Sequence, residues 1–252
     1  MQTVRDKINI LTQISYSRYF SLTFIPLLIF FGFTLYSVSW TVSTTIAFVI
    51  GYLVIYVYGI NIFYHRYWSH RQFKPNPWVL KFFTLAGTMA MIGGPTAYAM
   101  AHRWHHMHSD TALDPHSPAH GRWHAFIGWT FTTPATAIPV TVIKDFFLEE
   151  NKWIFFIEKI KILMPWILTI ATYIISPEVA MGVLAAMFLT HLIELYINAF
   201  LHDPKTHESI DVHPIIGWLT AGGLTHKLHH NQPSKLTKKD PGYYFVRLVD
   251  TQ

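Results

Sequence analysis

Residues Phe20 to Val38 and Thr44 to Phe63 contain no charged side chain, and each run is long enough to cross a hydrocarbon layer about 30 Å thick as a helix. In lipid every backbone N–H and C=O must be satisfied internally, which leaves an open apolar segment only the helix. A third run, Ile162 to Ile175, is shorter and recruits its flanks over residues 161–176, and a fourth extends from Val179 to Phe200. Only 13% of the residues are charged and 51% are hydrophobic, about half the charge of a soluble domain. The expected fold is an all-α integral membrane protein. It has four transmembrane helices in two hairpins, spans at about 20–38, 44–63, 161–176 and 179–200, and a helical cap formed by residues 64–160 and 201–252. The whole chain, 1–252, is read as one domain, without linker or repeat.

Two other apolar stretches are not read as spans. Val79 to Ala101 is interrupted by Lys81 and by Gly93, Gly94 and Pro95, and Ala125 to Ile143 by Pro134 and Pro139. Proline and glycine at those places break a continuous helix, so re-entrant or interfacial pieces are expected. Of the nineteen Lys and Arg, three precede residue 20, ten lie between residues 65 and 161, and six follow residue 201. The hairpin turns carry none. The positive-inside rule then places both termini and the middle segment in the cytoplasm. Arg5, Lys7 and Arg18 occur without the short apolar core of a signal peptide, so the first twenty residues are expected along the membrane surface. There are no cysteines, which excludes disulfides, thiolate metal sites and iron–sulfur clusters. The dispersed basic residues carry no nucleic-acid-binding motif.

Sixteen histidines outnumber the fourteen acidic residues. Four clusters stand out: His65 and His70 in HRYWSH, His102, His105 and His106 in HRWHH, Asn198 and His202 in NAFLH, and His226, His229 and His230 in HKLHH. On a helix, positions i, i+3 and i+4 share a face, so each HxxHH aims three imidazoles at one region. His65 and His70 would point about 140° apart on an ideal α-helix, which predicts that one lies beyond the helix end. All four clusters fall on the side marked by the basic residues. Imidazole suits iron, zinc, copper or nickel, and nine such nitrogens suit two ions at four or five each. The other histidines, His108, His116, His120, His124, His191, His207 and His213, read as surface or outer groups. Metal-bound imidazoles donate their second N–H to a carboxylate or carbonyl, which makes Asp110 and Asp114 the expected outer partners.

These motifs resemble the membrane fatty acyl desaturases, and within them the stearoyl-CoA or delta-9 branch. HRYWSH is similar to that branch's first box, and residues 102–116, HRWHHMHSDTALDPH, resemble its second box with the SDTxxDPH extension. Asn198 and His202 resemble its NxxxH element, and His226, His229 and His230 its last HxxHH. The resemblance implies nine histidine ligands (His65, His70, His102, His105, His106, His202, His226, His229 and His230) for two iron ions, with Asn198 holding a metal-linked water. It implies dioxygen as co-substrate and a cis double bond, at the delta-9 position, in an acyl chain carried on coenzyme A, acyl carrier protein or lipid. One departure falls at the last box, where Gly222, Gly223, Leu224 and Thr225 precede His226 and Lys227 follows it, in place of a Gly-Glu pair and an Asn.

Two other readings stand beside this one. Membrane di-iron hydroxylases of alkanes, sterols or lipids use different first-box spacings, and a His-rich metal transporter or sensor would carry its ligands near mid-membrane. Affinity order makes zinc the competing ion in a purified sample. The chain leaves no room for a cytochrome b5-like haem segment, so electrons are expected from another protein. A net charge of +5 suits an acidic donor such as a cytochrome b5 or a ferredoxin, and also anionic lipids. Finally, His191, Glu194, Asn198 and His202 form one polar stripe on the fourth span, with His191 about 16 Å deeper than His202. An ionisable group at that depth is a functional candidate, and His191 and Glu194 are expected to pair, bounding a tunnel or relaying protons.

Overall fold

The computed structural model describes residues 19–109, 111–132, 138–148, 152–203, 205–206 and 208–252. Asp110, His207, Pro134 and the surface segment expected before residue 19 lie outside the described residues. Those described are organised as helices and turns, with only isolated bridging pairs such as His202 with Ser209. Helix α1 spans Phe20–Ser37, α2 Val42–Ser69, α3 Pro77–Gly87, α4 Pro95–His108, α5 Lys152–Ile160, α6 Met164–Ile175, α7 Pro177–Phe200 and α8 His226–Asn231.

Three helices, α1, α2 and α7, are long and apolar enough to cross a membrane. The third expected span is shorter than its sequence window. Its helix is Met164–Ile175, 12 residues, with Pro165 in its first turn, or about 18 Å; Lys161 is paired with Glu158 and the chain turns before Met164. The turns between hairpin helices are as tight as expected. Thr41 and Thr44 exchange side-chain and backbone hydrogen bonds at 3.3 Å in a capping box that starts α2. Ser176 alone separates α6 from α7, its hydroxyl accepting from Val179 N, with Pro177 at the first helical position.

Helix α2 is the centre of the molecule. Tyr56, Phe63, Tyr64, Arg66 and Trp68 along it are fully buried. It meets α7 at small residues: a Cβ on Gly51 would stand 2.9 Å from that of Ala186, and one on Gly182 would overlap the Thr44 carbonyl. Close backbone approach of this kind supplies the packing that lipid cannot drive by exclusion. The outward faces are apolar, with Ile29 on α1 and Ile174 and Ile175 on α6 among the most exposed side chains.

The first rejected stretch is broken at Gly93, Gly94 and Pro95 as the sequence says, although α3 runs on through Lys81. After α3 the chain passes through Met91 and Gly93, both at positive φ, before α4 begins at Pro95. Among its described residues the second has short helical turns at His124–Gly128, Trp129–Thr132 and Val140–Ile143. The start of α4 is fixed by Glu158 of α5. Its buried carboxylate accepts from Thr96 N at 2.9 Å and from the Thr96 hydroxyl, while Lys161 Nζ donates to it at 2.6 Å. A carboxylate at a helix N-terminus answers both the free N–H groups and the helix dipole. Glu158→Gln, which loses the charge but not the shape, is expected to destabilise the protein by about 1.5–3 kcal/mol. Unfolding in detergent checks this, and an unchanged midpoint would contradict it.

Candidate metal centre

The first box sits at the end of α2, which from Leu53 to Ser69 is wound with π-helical bonding. Bonds from i to i+5 bring residues five apart back to nearly one side. His70 is the C-cap residue, at the helix end as expected, yet its ring lies only 5.2 Å from that of His65. The second box occupies the last turns of α4 and the last box forms α8. Arg103, between the histidines of the second box, binds the end of the first through Trp68 O and Ser69 O, both at 2.8 Å. Asp145 bridges Arg103 and Arg71 at 2.7 and 3.0 Å. Burial works to raise its carboxyl, but hydrogen bonds and charge from the two arginines hold it below the usual range.

All nine expected ligands converge, each with Nε2 inward. In one set, His65 faces His229 at 2.8 Å, His70 faces His102 at 2.9 Å, and His106 lies 3.1 Å from His102 and 2.9 Å from His229. In the other, His202 faces His226 at 2.6 Å and His105 faces His230 at 3.3 Å. Nitrogens bound about 2.1 Å from one ion stand roughly 3.0–3.4 Å apart at the edges of an octahedron or tetrahedron. The donors thus fit one transition ion per set. Each HxxHH serves both sets. His102 and His106 on α4 enter the first and His105 the second, whereas on α8 His229 enters the first and His226 and His230 the second. The sets adjoin, with the His106 and His230 rings stacked at 4.3 Å.

Burial, then the repulsion of neighbouring rings, holds His102, His106, His226, His229 and His230 below the ordinary imidazole value. His70 is pushed down to about 3 by burial and then by Arg66 and Arg103. Neutral rings offer the lone pair a metal needs. The unfolded chain, with values near 6.5, takes up protons first as the pH falls. The metal-free protein should therefore lose stability below about pH 6.5, by about 1.4 kcal/mol per pH unit for each histidine that titrates only on unfolding. Unfolding of metal-stripped protein across this range checks the sign. Stability that holds or rises on acidification would contradict it.

Asp114 is fully buried and accepts from His105 Nδ1 at 2.8 Å. His116 lies with them, its ring stacked on His105 at 4.6 Å. The expected partnership of His191 and Glu194 is replaced by two others. His191 Nδ1 donates to Ala90 O at 3.0 Å, its ring 4.3 Å from Phe24, while Glu194 is hydrogen-bonded by Tyr98. Their shared stripe faces inward, but a carbonyl on the turn after α3 and a hydroxyl on α4 reach them first. A cavity joins Glu194, Asn198 and His202 to His65, His102, His105 and His226, with Ile92, Trp129, Leu195 and Ile197 in its wall.

Two supporting groups escaped the sequence reading. Asn61 lies against His65, and its signal is the spacing Asn61-x-x-x-His65, which repeats Asn198-x-x-x-His202. Asp240, paired with Arg66 at 2.7 Å, has no local signal.

Residues 39–239 match the sequence profile of the fatty acid desaturases. The chain belongs to the fatty acid desaturase family. It is 32% identical over 180 residues to an sn-1 stearoyl-lipid 9-desaturase of Synechocystis, an alignment covering 68% of this chain and 56% of that protein. It is 35% identical over 127 residues to an sn-1 stearoyl-lipid 9-desaturase of Anabaena variabilis, covering 50% and 41%. An acyl-CoA 5-desaturase of Anemone leveillei is 42% identical over 80 residues, covering 32% and 25%. The chain thus spans about half the length, or less, of these curated relatives.

Proposed function

We propose that this desaturase-family chain introduces a cis double bond, at the delta-9 position, into a saturated acyl chain at a centre of two irons. The observation that carries the reading is the pair of adjoining all-imidazole sets, whose His65, His102, His105, His202 and His226 line a cavity together with Ile92, Trp129, Leu195 and Ile197. His65, His70, His102, His106 and His229 hold one ion, and His105, His202, His226 and His230 the other, with Asn198 placing a water. When bound, the irons supply the reduction of dioxygen. Overall, two hydrogens leave adjacent methylenes, two electrons and two protons enter, and dioxygen becomes two waters. The protein's task is positioning, because identical methylenes carry no chemical label and a shaped wall must select the pair. Glu194, held by Tyr98, bounds that wall, and Asp114 orients His105.

The chain crosses the membrane four times, α6 being the short crossing, with both termini and the metal centre cytoplasmic. The basic residues on that side support this, and they suit an acidic electron donor such as a cytochrome b5 or a ferredoxin. The names of the cyanobacterial relatives favour an acyl chain on a membrane lipid, with coenzyme A and acyl carrier protein as the other carriers of the same chain. Expression in a host of defined lipids, followed by double-bond mapping, tests the reading. New delta-9 unsaturation is expected. Hydroxylated chains would replace it with hydroxylation, and unchanged lipids with altered metal uptake would replace it with transport.

A further inference from the structure

We propose that Asn61 is a positioning residue for the metal centre, fixing the ring of His65 so that only its Nε2 is offered to the ion. Asn61 is buried, 2% exposed, one turn before His65 on α2. Its amide nitrogen donates to two backbone carbonyls, Thr220 O at 3.1 Å and Ala221 O at 2.7 Å. Those bonds use both N–H groups and settle which way the amide faces. Oδ1 is thereby turned toward His65 Nδ1, 3.2 Å away. An oxygen without a proton at that place requires the imidazole proton on Nδ1, which leaves the lone pair on Nε2 facing His229 Nε2.

The anchor is itself rigid. Ala221 and Gly222 turn at positive φ, 50° and 81°, and Arg66 Nη2 donates to Gly222 O at 3.4 Å. Asn61 thus ties the first box to the turn that leads into the last one, and it does for His65 what Asp114 does for His105. Partners of this kind, when removed, cost about 10–100-fold in metal affinity.

The inference rests on the two-ion reading, and zinc binding measured in competition with a chromophoric chelator separates the two. Wild-type protein, stripped and reloaded, should show two zinc sites. Asn61→Leu should weaken one site by about 10–100-fold and leave the other unchanged. Asn61→Ala, which also removes the oxygen facing His65 but adds no bulk beside the Thr220 and Ala221 carbonyls, should weaken the same site and leave the other unchanged, and it decides the matter if the leucine variant does not fold. Two unchanged sites in Asn61→Leu or Asn61→Ala, or equal weakening of both sites, would overturn the inference. Fewer than two zinc ions in the wild type would instead overturn the two-ion reading.

Discussion

His105→Ala is expected to lower the yield of unsaturated product by a factor on the order of 10³ or more, about 4 kcal/mol of lost transition-state stabilisation. His105 acts at both of its nitrogens. Nε2 belongs to the second set, 3.3 Å from His230, and Nδ1 is bound by Asp114 at 2.8 Å. Alanine removes a donor from an inner position that water cannot replace with the same field, and it takes the ring hydrogen bond from a carboxylate that is 0% exposed. The remaining rings cannot compensate, because His202, His226 and His230 approach from α7 and α8 and only His105 brings α4 into that set. Double-bond mapping of host lipids, normalised to the amount of protein in the membrane, gives the readout. Product above a tenth of the wild-type level would contradict the assignment of His105 as a ligand.

The second large effect is structural. Asp240→Ala should destabilise the protein by about 3–5 kcal/mol, because Arg66 is fully buried and Asp240 is its only carboxylate partner among the described residues. Both Asp240 oxygens are used, Oδ2 at 2.7 Å and Oδ1 at 3.0 Å. Gly222 and Gly242 pack against the guanidinium so closely that a Cβ on either would collide with it. Replacing the pair together, Arg66→Met with Asp240→Leu, should recover part of the loss, since a buried ion pair is costly to break but not costly to replace by apolar groups. Chemical unfolding in detergent measures both. A loss below about 1 kcal/mol for Asp240→Ala would show the guanidinium to be solvated, against the structure.

The histidine centre was legible because its information is local. HxxHH sets three rings on one helix face, and the short strings HRYWSH and SDTALDPH carry the family likeness. Asp114 was legible for the same reason, lying nine residues from the ring it orients. What spacing could not show was how the helix winds. His65 and His70 converge because α2 turns with π bonding, whereas an α-helix would send them apart. Partners distant in sequence were equally out of reach. Asp240 lies 174 residues from Arg66 in a segment with no pattern, and Asn61 finds its carbonyls 159 and 160 residues away. The polar stripe on α7 correctly predicted that His191 and Glu194 turn inward, but a stripe names a face and not a neighbour. The shortened third expected span has a similar origin. Hydropathy marked an apolar run from Ile162, whereas the chain turns over residues 161–163 and the helix begins at Met164 with Pro165 in its first turn.

The most direct test of the account is an anomalous-scattering map from crystals of the protein grown with its transition metal bound. Two peaks are expected. One should lie within bonding distance of His65, His70, His102, His106 and His229, and the other within bonding distance of His105, His202, His226 and His230. A single peak, or density placed away from these nitrogens, would contradict it.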